Sequence, residues 1–235
     1  PAYTTIPLTG AVAYDFWHNP NCPTYSKGMT HEEAIARARE ELKEGGYTWD
    51  KSDRLVSPEG ELVKTIDVMS VPAEMAVTSA TIAQQMTRWL SEIGVNARFK
   101  PSAWGIISDN LDHGKYDIFM MGFGLAPDPD NMRTFFGSKY AVDYGSNYIR
   151  YRNPEVDELL EAQAKEMDPE ARQKLIFDLQ MILMEDSAAF PLYRQFIYDA
   201  YRGDRFTGWI IGPGGLDGAS GYNLFWSMLN IEPVE

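Results

Sequence analysis

Between Leu62 and Phe99 a strand, a helix and a second strand follow one another, and this order constrains the fold more than any other feature of the chain. Leu62 to Ser70 reads as a strand, introduced by the Pro58-Glu59-Gly60 turn. From about Met75 to Glu92 the apolar residues Ile82, Met86, Leu90 and Ile93 recur at helical spacing, and Gly94 supplies the stop. Val95 to Phe99 then reads as extended again. A strand that returns through a helix arrives parallel to its neighbour, since a parallel pair needs a crossover of a dozen or more residues. Residues 103–112 give a short helix, and Tyr116 to Met121 give a third strand. The expected fold class is therefore α/β, a mixed and mostly parallel sheet flanked by helices.

Helix boundaries on either side of this unit are marked by local chemistry. Thr30-His31-Glu32-Glu33 is a capping-box pattern, with Ala34, Ala38 and Leu42 as the apolar stripe and Gly45-Gly46 as the stop. Asn153-Pro154 and Asp168-Pro169 each place a capping side chain before a first-turn proline. Val156, Leu159, Leu160 and Ala164 mark the buried face of the first of these helices, and Leu175, Leu179, Ile182 and Leu183 that of the second. Pro191 ends the second helix, Phe196 to Tyr201 reads as another strand, and Asn223 to Asn230 as a short terminal helix. Residues 1–29 form an irregular lead-in, and Trp17, Trp209 and Trp226 read as tying irregular segments down.

Several chemistries fail on the residues. A formal net charge of -13 with no Lys/Arg-rich block argues against nucleic acid as a partner, because phosphate neutralisation needs a basic face. Cys22 is the only cysteine, so no internal disulfide is available. No apolar run reaches the roughly 18 residues of a membrane span. His18, His31 and His113 lack metal-ligand spacing, and the acidic stretch at Asp128 and Asp130 continues with Met132 and Arg133 where a calcium loop needs an oxygen ligand and a glycine. There is neither a G-x-S-x-G elbow nor a phosphate loop. No metal, cofactor or catalytic residue is expected.

The stretch from Tyr116 to Asn131 is the candidate binding element. An apolar strand stops abruptly in glycines, prolines, acids and an amide, and loops beyond the carboxyl ends of strands are where α/β domains hold solutes. Phe123 is read as core or ligand contact, and Asp128 and Asp130 as contacts or as braces of the loop. Asn131 is a contact or a helix cap. Asn147 and Tyr148 offer an amide and a hydroxyl, and Trp104 offers a flat aromatic face at the start of its helix.

These fragments fall in the order found in a known family. Ala34 to Tyr47, the Glu59-Gly60 turn, Ile82-Ala83-Gln84-Gln85 with Ile93-Gly94-Val95, and Tyr116-Asp117 through Asp128-Pro129-Asp130-Asn131 each match a family segment. So do Asn153-Pro154-Glu155-Val156-Asp157-Glu158-Leu159-Leu160 and Phe190-Pro191-Leu192-Tyr193. Over essentially its whole length the chain resembles the carboxyl-terminal half of the family 5 extracellular solute-binding proteins, the oligopeptide, dipeptide, nickel and oligosaccharide receptors of ABC importers. The resemblance implies a type II periplasmic-binding-protein-like lobe over 1–235, with 1–29 as lead-in and about 205–235 returning toward an N-terminal lobe absent from this sequence. It implies a non-catalytic, extracytoplasmic substrate-binding component that takes an oligopeptide or oligosaccharide and works with a membrane permease. It also places Trp104 toward the cleft. Peptide receptors carry an acid just before the Asp-Pro pair, and Leu125-Ala126-Pro127 has none, which favours a neutral solute unless Asp128 takes that part. A structural or chaperone-like module, or an α/β hydrolase-type enzyme, is the alternative.

Overall fold

The computed structural model describes residues 15–23, 25–122, 128–192, 199–211, 216 and 222–234. The chain divides into two compact units, a sheet unit of Tyr25–Gly122 with Val142–Gly145, and a helical unit of Pro1–Thr24, Phe123–Ala141 and Ser146–Glu235.

The sheet unit begins with α1 (His31–Glu44), and both halves of the capping box form: Glu33 N donates to Thr30 Oγ1 at 3.2 Å and Thr30 N to Glu33 Oε2 at 2.7 Å. A two-residue ribbon follows, β1 (Thr48–Trp49) antiparallel to β2 (Leu55–Val56). Then come β3 (Ile66–Ser70), α2 (Val77–Glu92), β4 (Ala97–Pro101), α3 (Trp104–Asp112) and β5 (Ile118–Phe119). The three longer-range strands form one parallel sheet in the order β4-β3-β5, with Val68 opposite both Phe99 and Ile118. Its core is Val68, Met69, Ala80, Ala83, Ile107 and Leu111, and the two alanines let α2 lie close on the strands.

Two strands are shorter than expected. Leu62 leaves the sheet direction to bridge antiparallel to Val56, so the ladder starts only at Ile66, whose N–H donates to Asn96 O at 2.8 Å. The third strand narrows to Ile118–Phe119, although Met120 N still donates to Met69 O at 2.9 Å. The exit of α2 is tightly built. Gly94 turns at φ +90°, Trp49 Nε1 donates to Ile93 O at 2.9 Å, and the Arg39 guanidinium lies 4.4 Å over the Trp49 ring.

The helical unit holds a 3-10 turn at Asp15–Trp17, α4 (Asn131–Phe136), α5 (Pro154–Lys165), α6 (Pro169–Glu185) and α7 (Tyr222–Asn230). A ribbon of β6 (Phe206–Thr207) and β7 (Glu232–Pro233) completes it. Asn153 accepts from Glu155 N at 3.0 Å and Asp168 from Ala171 N at 2.8 Å, as their positions before proline require. Met132 and Phe136 pack between Val156 and Leu160 of α5 and Ile176, Leu179 and Leu183 of α6. Gln180, buried in α6, accepts from Asn19 N at 2.9 Å and donates to Trp17 O at 2.7 Å, which ties the lead-in to the helices.

Two expectations change here. Half of the strand read over Phe196 to Tyr201, residues 196–198, lies outside the described residues, and 199–201 are not strand. Trp226 does not tie its segment down as read from the sequence: α7 leaves Leu224, Phe225, Trp226, Met228 and Leu229 all exposed. Trp209 does anchor locally, donating to Phe206 O at 3.0 Å and resting on Tyr201.

Candidate functional site

In the sheet unit the carboxyl ends of β3, β4 and β5 point the same way, because all three strands are parallel. Ligands of open α/β sheets collect beyond such ends. Ser102 N donates to Ser70 O at 2.9 Å and extends the β3–β4 ladder by one step, after which the chain turns into α3. Trp104 is the first residue of that helix and is 49% exposed, so nearly half the largest apolar side chain faces water. Met75 and Val77, where β3 leads into α2, and Ile106 in α3 are exposed on the same carboxyl side. The sequence pattern read Met75 as an ordinary helix start. The missed signal is the pair of large apolar residues, Met75 and Val77, at the entry to a helix whose buried residues are the small Ala80 and Ala83.

A polar concavity of about 320 Å³ lies elsewhere in this unit, lined by Asp67, Lys100, Lys115, Tyr116 and Asp117. Its charges largely cancel: Asp67 meets Arg98 at 2.7 Å and Lys100 at 3.2 Å, and Lys64 meets Asp117 at 2.5 Å.

The Asp128–Asn131 turn belongs to the helical unit, and its acids are spoken for. Arg172 of α6 clasps Asp128 with two parallel bonds of 2.8 and 2.9 Å, and Asp128 Oδ1 also accepts from Asp130 N at 2.8 Å. Buried Gln163 bridges the pair, accepting from Arg172 Nε at 3.1 Å and donating to Asp130 Oδ1 at 2.7 Å. Arg133 Nη2 closes on Asp130 Oδ2 at 2.6 Å, and the Trp17 ring backs the Arg172 guanidinium at 5.2 Å. The bidentate bond from Arg172 holds the Asp128 carboxyl below the usual aspartate range and raises the guanidinium in turn.

A depressed carboxyl stabilises the fold above its unfolded value of about 4 and stops doing so as pH falls through its lower folded value. Asp128→Asn is therefore expected to cost about 1 kcal/mol at neutral pH, the scale of a well-formed, partly exposed pair. That difference should shrink as pH drops below about 4. Urea melts of both chains from pH 7 to 3 measure it, and a gap that widens in acid contradicts the assignment.

The remaining candidates are distributed as follows. Asn147 is fully buried; its Nδ2 donates to Gly137 O at 3.1 Å and Tyr151 O at 2.9 Å, and its Oδ1 accepts from Tyr151 N at 3.2 Å. Tyr148 beside it is half-buried. Asn131 does not cap α4, contrary to one reading of the sequence. Asp130 holds the cap position without a side-chain bond, and Asn131 is already helical. Phe123 and Leu125-Ala126-Pro127 lie outside the described residues. Burial pushes the Cys22 thiol up to about 11, which keeps it protonated at neutral pH and unsuited to nucleophilic attack. Among the described residues no three His, Cys, Asp or Glu side chains are placed to hold a metal ion, and no helix is long and apolar enough to cross a membrane.

Comparison with known proteins bears on what such a rim serves. Residues 4–143 match the family described as bacterial extracellular solute-binding proteins, family 5 Middle. The probable di/tripeptide-binding protein 5 of Pseudomonas aeruginosa is 31% identical over 111 residues, 47% of this chain and 21% of that protein. Di/tripeptide-binding protein 4 of the same organism is 25% identical over 135 residues, 57% of this chain and 25% of that protein. The chain thus spans about a fifth to a quarter of the length of these relatives. The fold matches a periplasmic oligopeptide-binding protein from Thermotoga maritima, solved with mannohexaose bound, at a TM-score of 0.71 and 19% identity; the match covers 99% of this chain and 44% of that one. With more than half of its residues inside the family match, the chain belongs to the family 5 bacterial extracellular solute-binding proteins.

Proposed function

We propose that this chain is the solute-gripping part of the substrate-binding component of an ABC importer, which captures an oligopeptide or oligosaccharide outside the cytoplasm and passes it to a membrane permease unchanged. Family membership supports the binding role, and relatives named for di- and tripeptides, beside a fold neighbour holding mannohexaose, support both solute classes. Trp104 carries the reading: a half-exposed indole at the carboxyl end of a parallel strand suits the apolar face of a pyranose or a peptide side chain. Asp128, Asp130 and Asn147 would act by holding their loops in shape, since their polar atoms are already engaged.

The proposal includes a preceding lobe as the opposing wall. The relatives extend far beyond the matched region, and α7 presents Leu224, Phe225, Trp226, Met228 and Leu229 to solvent in the segment read as returning to that lobe. An apolar face of this kind on a helix calls for a cover.

Saturation-transfer NMR on the 235-residue chain, with tri-alanine and with mannohexaose at millimolar concentration, tests the reading. At least one probe should receive transfer, and Trp104→Ala should weaken its binding about tenfold, or about 1.4 kcal/mol, while Trp104→Phe retains most of it. The responding probe identifies the solute class. Transfer to neither probe sinks the proposal, and so does transfer that Trp104→Ala leaves unchanged.

A further inference from the structure

We propose that the polar concavity of the sheet unit, lined by Lys100, Lys115 and Tyr116 with Asp67 and Asp117, binds an oxyanion, the phosphate or carboxylate group of a small molecule. The site is separate from the rim described above, since none of Trp104, Met75, Val77 and Ile106 lines it. Asp67 lies near the start of β3, and Lys115, Tyr116 and Asp117 form the turn that enters β5, at the opposite ends of the strands from that rim. A volume of about 320 Å³ reaches the lower bound of small-molecule sites, roughly 300–1,000 Å³.

What remains after the ion pairs is positive. Arg98 takes Asp67 with two bonds, Nε to Oδ1 at 2.8 Å and Nη2 to Oδ2 at 3.1 Å, and Lys64 takes Asp117. Neither of these cations lines the concavity, so its acids are neutralised from outside and its own two lysines are left over. Lys100 is only a second, longer partner of Asp67 at 3.2 Å, and the exposed Lys115 side chain makes no ion pair or hydrogen bond among the described residues. Four cations against two carboxylates leave a local formal charge of +2, in a chain whose formal net charge is -13. A concave wall of one sign concentrates ions of the other. The nearby carboxyl end of α3 does not undo this, because helix ends repel anions through carbonyls that lack donors. Here Asp109 O accepts from His113 N at 3.2 Å, Asn110 O from Lys115 N at 2.8 Å, Leu111 O from Gly114 N at 3.1 Å and Asp112 O from Tyr144 N at 3.0 Å. Asp109 and Asp112 themselves do not line the concavity.

Calorimetric melting of the 235-residue chain tests the site, with phosphate or citrate added up to about 10 mM and ionic strength held constant with sodium chloride. At least one of the two should raise the melting temperature by about 3 °C along a saturating curve, and the one that does identifies the oxyanion. Lys115→Gln and Lys100→Gln should each at least halve that shift, measured from the variant's own melting point in chloride. Lys51→Gln, an exposed lysine on the β1–β2 turn outside the concavity, should leave it whole. Lys115→Gln removes no bond among the described residues and should fold as the parent does. Both anions also stabilise proteins by exclusion from their surface, but that effect does not saturate and does not depend on one lysine. No shift with either anion overturns the inference. So does a shift that both Lys100→Gln and Lys115→Gln leave intact, or one that Lys51→Gln lowers as much as they do. Trp104 takes no part in this site, so any of these failures leaves the receptor reading standing.

Discussion

Asn147→Ala is expected to lower the stability of the chain by about 2–4 kcal/mol. One buried side chain serves three backbone groups: it donates to the carbonyls of Gly137 and Tyr151 and accepts from the Tyr151 N–H. Gly137 O keeps a second donor, Tyr140 N at 3.0 Å, so the larger share of the loss falls at Tyr151. A buried polar group left without its partner costs about 1–3 kcal/mol, and two of them are exposed to that cost here. Asn147→Asp should do no better than alanine, because an acceptor oxygen would then face two carbonyl oxygens. Urea denaturation followed by circular dichroism reads the effect as a lower midpoint at unchanged slope. An unchanged midpoint would mean that the amide is free to serve a solute after all, as its sequence neighbourhood first suggested.

Gly94→Ala is the second large effect, at about 3 kcal/mol or more. Gly94 turns at φ +90°, where an L side chain costs about 1–2 kcal/mol. A Cβ there would also lie 2.4 Å from Trp49 Nε1 and 2.8 Å from Asp53 O, and the second is backbone that cannot swing aside. Relief requires Trp49 to move, which breaks its bond to Ile93 O and its stacking under Arg39, each worth about 1 kcal/mol. Leu55 N, which donates to Gly94 O at 2.7 Å, would be disturbed with them. The double variant Gly94→Ala with Trp49→Ala separates the costs: removing the ring should relieve the contact with Trp49 and leave the backbone strain and the contact with Asp53 O. A single variant that melts with the parent would mean that this turn relaxes freely.

How much of this was legible in advance depended on how local the cause was. The starts of α1, α5 and α6 and the stop of α2 were readable because Thr30 with Glu33, Asn153-Pro154, Asp168-Pro169 and Gly94 act within one turn of themselves. The parallel β3-α2-β4 unit followed from element order alone. Leu62 was misplaced because its partner, Val56, lies across a tight ribbon too short to leave a periodic signal. The acids of the binding loop were the hardest to read. Whether Asp128 faces a solute or a guanidinium depends on Arg172, 44 residues away, and only the packing of α6 brings them together. Asn147 carried the opposite lesson: the residue type that serves a ligand well also serves a backbone turn, and sequence does not distinguish the two.

The division of the chain has a consequence for the order in which it is made. Tyr25–Gly122 forms nearly all of the sheet unit from one continuous stretch, so that unit has most of its contacts as soon as this stretch leaves the ribosome. The helical unit must wait. Asn19 meets Gln180 across 161 residues, which at ribosomal speed is an interval on the order of ten seconds. During that time Trp17 and Asn19 lack the Gln180 side chain that they later meet in α6. The segment around Asn19 thus takes its seat only once α6 has emerged, and the bonds between them close after the sheet unit has its contacts.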